Sequence, residues 1–359
     1  MSDAAPTPRH RPRPVVVPMT PSRLEVPSQP GDVEQLEAVE QLEDTTSTTS
    51  GGVEDGLEDV VDALVDVLRA TARLAGLSGE QLEEQVAATL GFLTRRVSGD
   101  YEVDLFGFDA DFTEHVYLPL VRPLYRRWFR VDVTGIEHIP AEGGALIVSN
   151  HSGTMPWDSL MTLVAVHDEH PQRRHLRMLG ADLVFRTPIL ADLSRKVGTT
   201  VAATYDAEQL LGRGEIVGVW PEGFKGVGKP FSERYRLQRF GRGGFVSAAL
   251  RAGVPIIPCS VVGAEEIHPM LGNAGAIAKL LGFPYFPLTP TFPWLGLLGA
   301  VPLPTKWTIE FGAPIPTDGY PQGAAEDPML VMDLTDQVRE TIQQTLHQML
   351  MRRRSVFLG

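Results

Sequence analysis

The sequence predicts an α/β fold with a mainly parallel central sheet flanked by helices, preceded by a helical extension and a disordered acidic tail. Short apolar runs typical of buried strands alternate with helical stretches between about residues 131 and 262. This alternation favours parallel strands joined by helices that cover both faces of the sheet. A chain of 359 residues with 43% hydrophobic composition is also long enough to bury one sizeable core of this kind.

The first 110 residues differ in composition from the rest of the chain. They carry the whole net charge of -13, whereas the remainder is neutral. Residues 1–52 are rich in Pro, then Glu, then Thr and Ser, and this composition predicts a disordered tail. Residues 53–110 are predicted to form a helical extension, with apolar residues spaced by three and four between Leu57 and Leu68 and a second helix from Ser78 to Val97. The tail either binds a partner or simply solvates the chain.

The predicted elements of the body follow in order. A helix over about 112–129 ends in the segment 124–130, where aromatic residues alternate with arginines. Such a segment suits either a membrane interface or a helix packed on the core with its arginines in solvent. Strands are expected within 131–140, 144–149, 177–179, 214–220 and 254–262, and a helix is expected over 156–166.

Two further segments complete the chain. The segment 280–304 contains no charged residue and many prolines, which forbid a regular helix, together with several aromatic residues. We interpret it as an interfacial loop or as the lining of an acyl-chain pocket. A C-terminal amphipathic helix is predicted over about 327–354. The resulting domain boundaries are 1–52 for the tail, 53–110 for the extension, 111–318 for the α/β domain and 319–359 for the C-terminal helix.

The candidate catalytic residue is His151, which directly follows the predicted strand 144–149. Sites in parallel sheets form at the carboxyl ends of strands, and Glu222 follows another strand in the same way. The small residues after His151 leave room for a ligand near the backbone. Asp158, in the first turn of the next helix, is the candidate partner that would hold the imidazole tautomer and let the other ring nitrogen accept a hydroxyl proton.

The spacing between these two residues sets a condition on the chain. Seven residues of helix separate two groups by about 10 Å, which is too far for a hydrogen bond. A direct contact between His151 and Asp158 therefore requires the residues between them to turn back. The Ser-Gly-Thr sequence at 152–154 makes such a turn plausible. A buried histidine that bonds only to the backbone remains the alternative interpretation.

Three segments together resemble the lysophospholipid (phospholipid/glycerol) acyltransferase family. The segment from Asn150 to Asp158 is similar to its first motif, Asn-His followed by Asp. The sequence Trp-Pro-Glu-Gly-Phe-Lys at 220–225 is similar to its third motif, and Val-Pro-Ile-Ile-Pro at 254–258 is similar to its fourth. Their order and spacing also agree with the family, over about residues 115–317. The chain departs from the family in having Pro156 at the usual position of the Asp and Lys225 at that of an Arg.

The resemblance implies an acyltransferase in which His151 deprotonates a hydroxyl that attacks an acyl thioester, with Asp158 as its orienting carboxylate. It implies substrate-binding residues along the first and third motifs: Asn150, Ser152, Gly153, Thr154, Glu222, Gly223 and Lys225. The charge pattern of the basic stretch that follows adds Arg234 and Arg236 as further candidates. Within that stretch, Lys225, Lys229, Arg234, Arg236, Arg239 and Arg242 are opposed only by Glu233. This excess of positive charge could bind coenzyme A phosphates or anionic headgroups, and a solvated surface is the alternative. Glu222 either holds the loop and acceptor hydroxyls or is a turn carboxylate.

Several other classes of site are disfavoured. Gly223–Lys229 matches most of a phosphate-binding loop, but Pro230 replaces the Ser or Thr that such a loop needs for Mg²⁺. No basic domain is present, which argues against a nucleic-acid binder. The histidines of the segment 167–175 are interpreted as part of a polar loop, so no metal site is expected. The single cysteine, Cys259, is expected to be a buried strand thiol.

The sequence therefore predicts an acyl-CoA-dependent O-acyltransferase that acts on a glycerolipid or lipid alcohol, with acyl-CoA as co-substrate and no cofactor. The departures from the family pattern favour diacylglycerol or a fatty alcohol over a lysophosphatidate as acceptor. Neither a signal peptide nor a spanning apolar stretch is expected, so we predict a cytoplasmic protein peripheral on the inner face of the membrane. The alternatives are a non-catalytic lipid-binding or scaffold protein with this fold and an acyl thioesterase.

Overall fold

The computed structural model describes residues 79–152, 154–186 and 188–359. Residues from Glu83 onward form one compact unit. The first helix is α1, Gly79–Ser98, and a helical segment over 110–128, here α2, alternates α-helical and π-helical turns. The later helices are α3 Trp157–Glu169, α4 Pro188–Lys196, α5 Thr204–Gly212, α6 Phe224–Val227, α7 Gly244–Ala252, α8 Gly275–Leu281 and α9 Pro328–Arg352.

The central sheet has seven strands in the order β1-β9-β6-β2-β5-β3-β4. Their bounds are β1 Asp132–Thr134, β2 Ala145–Ser149, β3 Leu176–Gly180, β4 Thr199–Val201, β5 Ile216–Val219, β6 Ile256–Val262 and β9 Thr308–Phe311; β7 Gly272–Asn273 and β8 Pro287–Leu288 form a separate antiparallel pair. Strands β6, β2, β5, β3 and β4 are mutually parallel, whereas β9 pairs antiparallel with β6 and parallel with β1. The sheet is therefore mainly parallel, as the sequence predicts.

Helices cover both faces of this sheet. One face packs against α2 and α3 through a core that includes Leu118, Met161 and the fully buried Trp307. The other face packs against α5, α7 and the C-terminal helix α9 through a core that includes Leu210 and Val338. Strands β2 and β6 are buried along their whole length because they lie in the middle of the sheet with helices on both sides.

Most of the predicted elements are present, and the differences have local causes. The tail 1–52 and the first predicted helix of the extension lie outside the described residues; α1 agrees with the second. Strands β4 and β9 are not predicted from the sequence, because Thr-Thr-Val at β4 and Thr-Ile-Glu-Phe at β9 contain polar residues and do not form the apolar runs seen in β2, β5 and β6. Cys259 is fully buried, and burial raises the pKa of its thiol to about 12.

The segment 124–130 packs on the core rather than presenting all its aromatics to solvent. Tyr125 and Phe129 are buried, and Phe129 stacks on Trp307 with ring centroids 4.5 Å apart. Only Trp128 is partly exposed, and its indole N–H donates to the carbonyl of Pro302. Of the two interpretations of this segment, the structure supports a helix end packed on the body.

The proline-rich segment 280–304 begins in the last turn of α8 and contains β8 and a 3₁₀ turn at Gly296–Ala300, and it is otherwise irregular. It leaves several large apolar side chains in solvent, among them Leu280, Trp294 and Leu298, which are 74–85% exposed. Within the part of the chain that the structure describes, no helix combines the length and the apolar character needed to cross a bilayer.

Candidate active site

The candidate site lies at the carboxyl ends of three neighbouring strands. His151 follows β2 after one residue, and the turn that begins at Trp220 and contains Glu222 follows β5. Strands β2 and β5 are paired so that Val148 lies opposite Val219. Because parallel strands end at the same edge of a sheet, the two segments are brought together there. Strand β6, on the other side of β2, ends at this edge as well.

His151 and Asp158 are in direct contact. The Nδ1 atom of His151 lies 2.8 Å from Oδ2 of Asp158. Helix α3 begins only at Trp157, so the described residues between His151 and this helix, Ser152 and 154–156, are not helical. Thr154 has a φ of 53°, in the left-handed region, and this conformation reverses the chain between the two side chains. The structure thus meets the condition that the spacing imposes.

The hydrogen bonds around Asp158 determine how His151 is held. Asp158 is fully buried, and its carboxylate accepts the backbone N–H groups of Ser152 and Ser159, each at 2.9 Å. Because a carboxylate only accepts hydrogen bonds, the third bond must come from a protonated Nδ1 of His151. This tautomer leaves the lone pair on Nε2. The His151 side chain is 15% exposed, so the ring is partly accessible from solvent.

The other residues of the first motif hold this turn in place. The buried Asn150 side chain donates to the carbonyl of Val261 and accepts its N–H, at 3.0 and 2.8 Å, and so joins the end of β2 to β6. Thr154 donates its hydroxyl to the carbonyl of His268 at 3.1 Å. Ser152 is fully buried, and its hydroxyl has no hydrogen-bond partner among the described residues. Gly153 lies outside the described residues. A contact of these residues with substrate stays a prediction.

Glu222 connects the third motif to the first. One of its carboxylate oxygens accepts the backbone N–H of His151 at 2.9 Å, and the other accepts that of Gln238 at 2.6 Å. Glu222 is only 3% exposed. The carboxylate therefore fixes the backbone at His151 by accepting backbone N–H groups, as a turn carboxylate does, and a contact of Glu222 with acceptor hydroxyls stays a prediction.

Lys229 lies between Glu222 and a second buried carboxylate. Its Nζ atom is 3.1 Å from Glu265 and 3.5 Å from Glu222. Burial raises the pKa of Glu265 to about 7, and the positive charge of Lys229 opposes this rise. The charge pattern of the sequence predicts a placement of Lys229 in a basic surface that either binds anions or is solvated. That placement is wrong, because the side chain folds inward to neutralise buried carboxylates.

The remaining predicted cations lie in solvent. Lys225, Arg234 and Arg236 are exposed, and the Arg234 guanidinium stacks on the Phe231 ring at 4.4 Å. Gly223, which precedes α6, has a φ of 54° that a side chain would disfavour. These residues follow Glu222 along one stretch of chain, and their contact with substrate stays a prediction.

Sequence reasoning missed three residues that shape the site. A Cβ at Gly226 would lie 2.7 Å from the His151 carbonyl oxygen and 3.0 Å from its Cβ, so only glycine allows α6 to approach His151. The Tyr285 hydroxyl donates to the carbonyl of Thr154. His268 is buried, which lowers the pKa of its ring to about 4. These contacts join segments far apart in sequence and leave no local signal.

A cavity of about 550 Å³ adjoins α6. Phe224, the first residue of α6, lines it together with Phe283 and Pro284 of the segment 280–304. The other lining residues are Ala181, Asp182, Leu183, Arg186, Ala202 and Gly282. Its volume falls in the usual range for small-molecule sites, and most of its side chains are apolar.

Comparison with known proteins places this geometry in a family. A family described as "Acyltransferase" matches residues 130–262, which include both His151 and Glu222. An uncharacterized protein of Mycobacterium tuberculosis is 55% identical over 290 residues, which cover 81% of each chain. A chicken (Gallus gallus) protein, "DGAT1/2-independent enzyme synthesizing storage lipids", is 29% identical over 194 residues, or 54% of each chain.

Among solved structures, that of PlsC, the 1-acyl-sn-glycerophosphate (LPA) acyltransferase of Thermotoga maritima, matches with a TM-score of 0.42 and 17% identity. The match covers 74% of this chain and 97% of that one. The family match extends from just before β1 to the end of β6, and so contains the strands whose ends carry His151 and Glu222. The chain belongs to the acyltransferase family.

Proposed function

We propose that this acyltransferase moves a fatty acyl group from acyl-CoA to the hydroxyl of a glycerolipid or lipid alcohol, with His151 as general base. The observation that carries the proposal is the 2.8 Å contact between His151 Nδ1 and the buried Asp158 carboxylate. It leaves Nε2 as the basic atom of a partly exposed ring. A general base that a buried carboxylate orients in this way is suited to deprotonating a hydroxyl.

Acyl transfer proceeds in two steps, addition of the acceptor oxygen to the thioester carbonyl and loss of the thiol. His151 Nε2 takes the proton of the acceptor hydroxyl while its oxygen forms a bond to the thioester carbonyl carbon. The tetrahedral intermediate then collapses, the carbon–sulfur bond breaks, and the thiolate leaves with the proton that the imidazolium returns. Asp158 stabilises the imidazolium between the two steps. The products are an oxygen ester and free coenzyme A.

The acceptor that we propose is a neutral lipid, diacylglycerol or a fatty alcohol. Two observations support this choice. The chicken relative is named for the synthesis of storage lipids, and the residue at the end of the third motif is Lys225, an exposed point charge that lacks the bidentate geometry with which arginine binds phosphate. The cavity beside α6, lined mainly by apolar side chains, offers a place for an acyl chain.

The donor that we propose is the coenzyme A thioester. Lys225, Arg234 and Arg236 are exposed along one stretch of chain next to the site, and their charges would attract the phosphates of coenzyme A. An acyl carrier protein presents the same thioester on a phosphopantetheine arm and is the competing donor. The coenzyme A proposal implies that the KM for the donor rises with ionic strength.

A product screen tests this function. The purified protein is incubated with a radiolabelled acyl thioester, either of coenzyme A or of acyl carrier protein. Each donor is tested with one acceptor at a time, namely diacylglycerol, monoacylglycerol, a fatty alcohol or lysophosphatidate, and the lipid products are then separated. We expect labelled oxygen ester with diacylglycerol or the alcohol. Product with lysophosphatidate alone would refute the neutral acceptor. Transfer from acyl carrier protein but not from coenzyme A would refute the donor, and no transfer in any combination would refute the function.

We further propose that the protein binds the cytoplasmic face of a membrane through the exposed side chains of the segment 280–304. Trp294, Leu298 and Leu280 stand in solvent on a stretch without charges. Phe283 and Pro284 of the same segment line the cavity beside α6. A membrane bound here would place the lipid acceptor next to that cavity, and tryptophan is the side chain best suited to headgroup depth.

Vesicle flotation tests the membrane proposal. Replacing both Trp294 and Leu298 by Ser removes two large apolar side chains, each worth about 2 kcal/mol on transfer from water, and should weaken binding at least about tenfold. The control is Leu105→Ser, which removes an equally exposed apolar side chain elsewhere on the protein. Flotation of the double variant to the same extent as the control would refute this surface as the membrane contact.

A further inference from the structure

A second cluster of titratable side chains lies away from the candidate active site. It consists of Glu114 on α2, His167 in the last turn of α3 and His175 just before β3. The Oε1 atom of Glu114 is 3.5 Å from Nε2 of His167 and 3.4 Å from Nε2 of His175. One potential ligand atom from each residue lies within 4.8 Å of the other two.

The sequence predicts no metal site here, on the ground that these histidines lie in a polar loop. The structure does not support that reason, since His167 is helical and only 1% exposed. His170, which the sequence analysis had grouped with them, bonds instead to the carbonyl of Ile139. The third member is Glu114, more than fifty residues upstream.

His167 is held with one ring nitrogen directed into the cluster. Its Nδ1 atom is 3.1 Å from Asp168, and two bonds of 2.9 and 2.7 Å from Arg122 fix that carboxylate. Its Nε2 atom is buried and makes no hydrogen bond to any described residue. Its nearest carboxylate oxygen, Glu114 Oε1 at 3.5 Å, is too far for a good hydrogen bond, and a metal ion between the two atoms would satisfy both. A carboxylate on the far nitrogen is also the usual support of a metal-bound histidine.

We propose that Glu114, His167 and His175 bind one divalent transition-metal ion, with zinc as the best fit. Two imidazole nitrogens and a carboxylate oxygen suit zinc rather than calcium or magnesium, which prefer oxygen ligands. Two ligands at tetrahedral zinc, each about 2.05 Å from the ion, are about 3.4 Å apart. The distances from Glu114 Oε1 to the Nε2 atoms of His167 and His175, 3.5 and 3.4 Å, agree with this value. Glu114 is about half exposed, so the ion and a water ligand can enter from solvent.

The position of this site indicates a structural role. His167 lies nine residues after Asp158 on the same helix, about 14 Å along its axis, so the ion does not take part in acyl transfer. Its ligands come from α2, α3 and the start of β3. Binding would tie α2 to the body of the domain and would stabilise the folded chain by mass action.

Metal titration of the full chain tests this proposal. The protein is expressed without a histidine tag, stripped with a chelator, and titrated with zinc by calorimetry and with cobalt by absorption spectroscopy. We expect one ion per chain, a tetrahedral cobalt spectrum and a higher Tm with zinc. His175→Asn should weaken zinc binding about 100-fold or more, since it removes a direct ligand.

The matched control is His115→Gln, which changes the residue next to Glu114 whose ring pairs with Asp111. Its zinc affinity should equal that of the wild type. The proposal is overturned if the stripped protein binds no stoichiometric zinc, or if His175→Asn binds as tightly as His115→Gln. Because the readout is metal binding, a failure here leaves the acyltransferase proposal untouched.

Discussion

His151→Ala is expected to lower kcat/KM for acyl transfer by about 10²- to 10⁴-fold, the usual contribution of a general base. The variant should remain folded, because the ring is partly exposed and makes only one hydrogen bond to another side chain. The loss should therefore appear in kcat, with little change in the KM for acyl-CoA. Initial rates with labelled acyl-CoA measure it, and His347→Ala, which removes an exposed histidine on α9, is the control.

Asp158→Asn separates the role of the carboxylate from that of the base. The amide that replaces it can present N–H groups to His151 and favour the wrong tautomer, so the rate should fall about 10²-fold or more with His151 still present. A rate for either His151→Ala or Asp158→Asn within a factor of about three of the control would contradict the assigned roles.

Lys229→Met is expected to lower the free energy of unfolding by about 3–5 kcal/mol, because it removes the cation between two buried carboxylates. Glu222 and Glu265 would then face each other with no compensating charge. The matched control is Lys225→Met, an exposed lysine four residues earlier, which should change stability by less than about 0.5 kcal/mol. Urea denaturation of both variants measures the difference.

The destabilisation should also depend on pH. The pKa of Glu265 is about 7 in the folded protein and therefore above the ordinary value of 4.5, so folding favours the protonated acid. The stability that this provides is present below pH 4.5 and is lost as the pH rises through 7. Without the positive charge of Lys229 the pKa of Glu265 rises further. At acid pH Glu265 is protonated and needs no compensating cation, so Lys229→Met should be least destabilised there. If Lys229→Met and Lys225→Met lowered the free energy of unfolding equally at pH 8, Lys229 would not be neutralising the buried carboxylates of Glu222 and Glu265.

The sequence predicted the central part of this structure because hydrophobic patterning is a local signal. Strands β2, β5 and β6 are apolar runs of four to seven residues, and the polar residues that follow them mark the edge where His151 and Glu222 lie. Strand direction also followed from the alternation of strands with helices. The short strands β4 and β9 carry no such pattern and are defined by their neighbours in the sheet.

The parts of the site that the sequence did not predict depend on contacts between distant segments. A charge pattern cannot show that Lys229 turns inward, because that depends on Glu265, thirty-six residues later. The glycine requirement at Gly226 arises only from the approach of α6 to His151. The sequence predicts the contact between Asp158 and His151 only on the condition that the chain turns back between them. The left-handed conformation of Thr154 provides that turn, and it cannot be read from the sequence.

The proposed acyl transfer requires that His151 deprotonates an acceptor hydroxyl, whose oxygen then attacks the thioester. The measurement that tests it follows thiol release and ester formation together, with acyl-CoA and diacylglycerol or with the methyl ether of the same lipid. We predict one thiol released per ester formed with the free hydroxyl, and neither product with the ether or with His151→Ala. Thiol release that continues with the ether, or in the His151 variant, would contradict the claim and indicate hydrolysis.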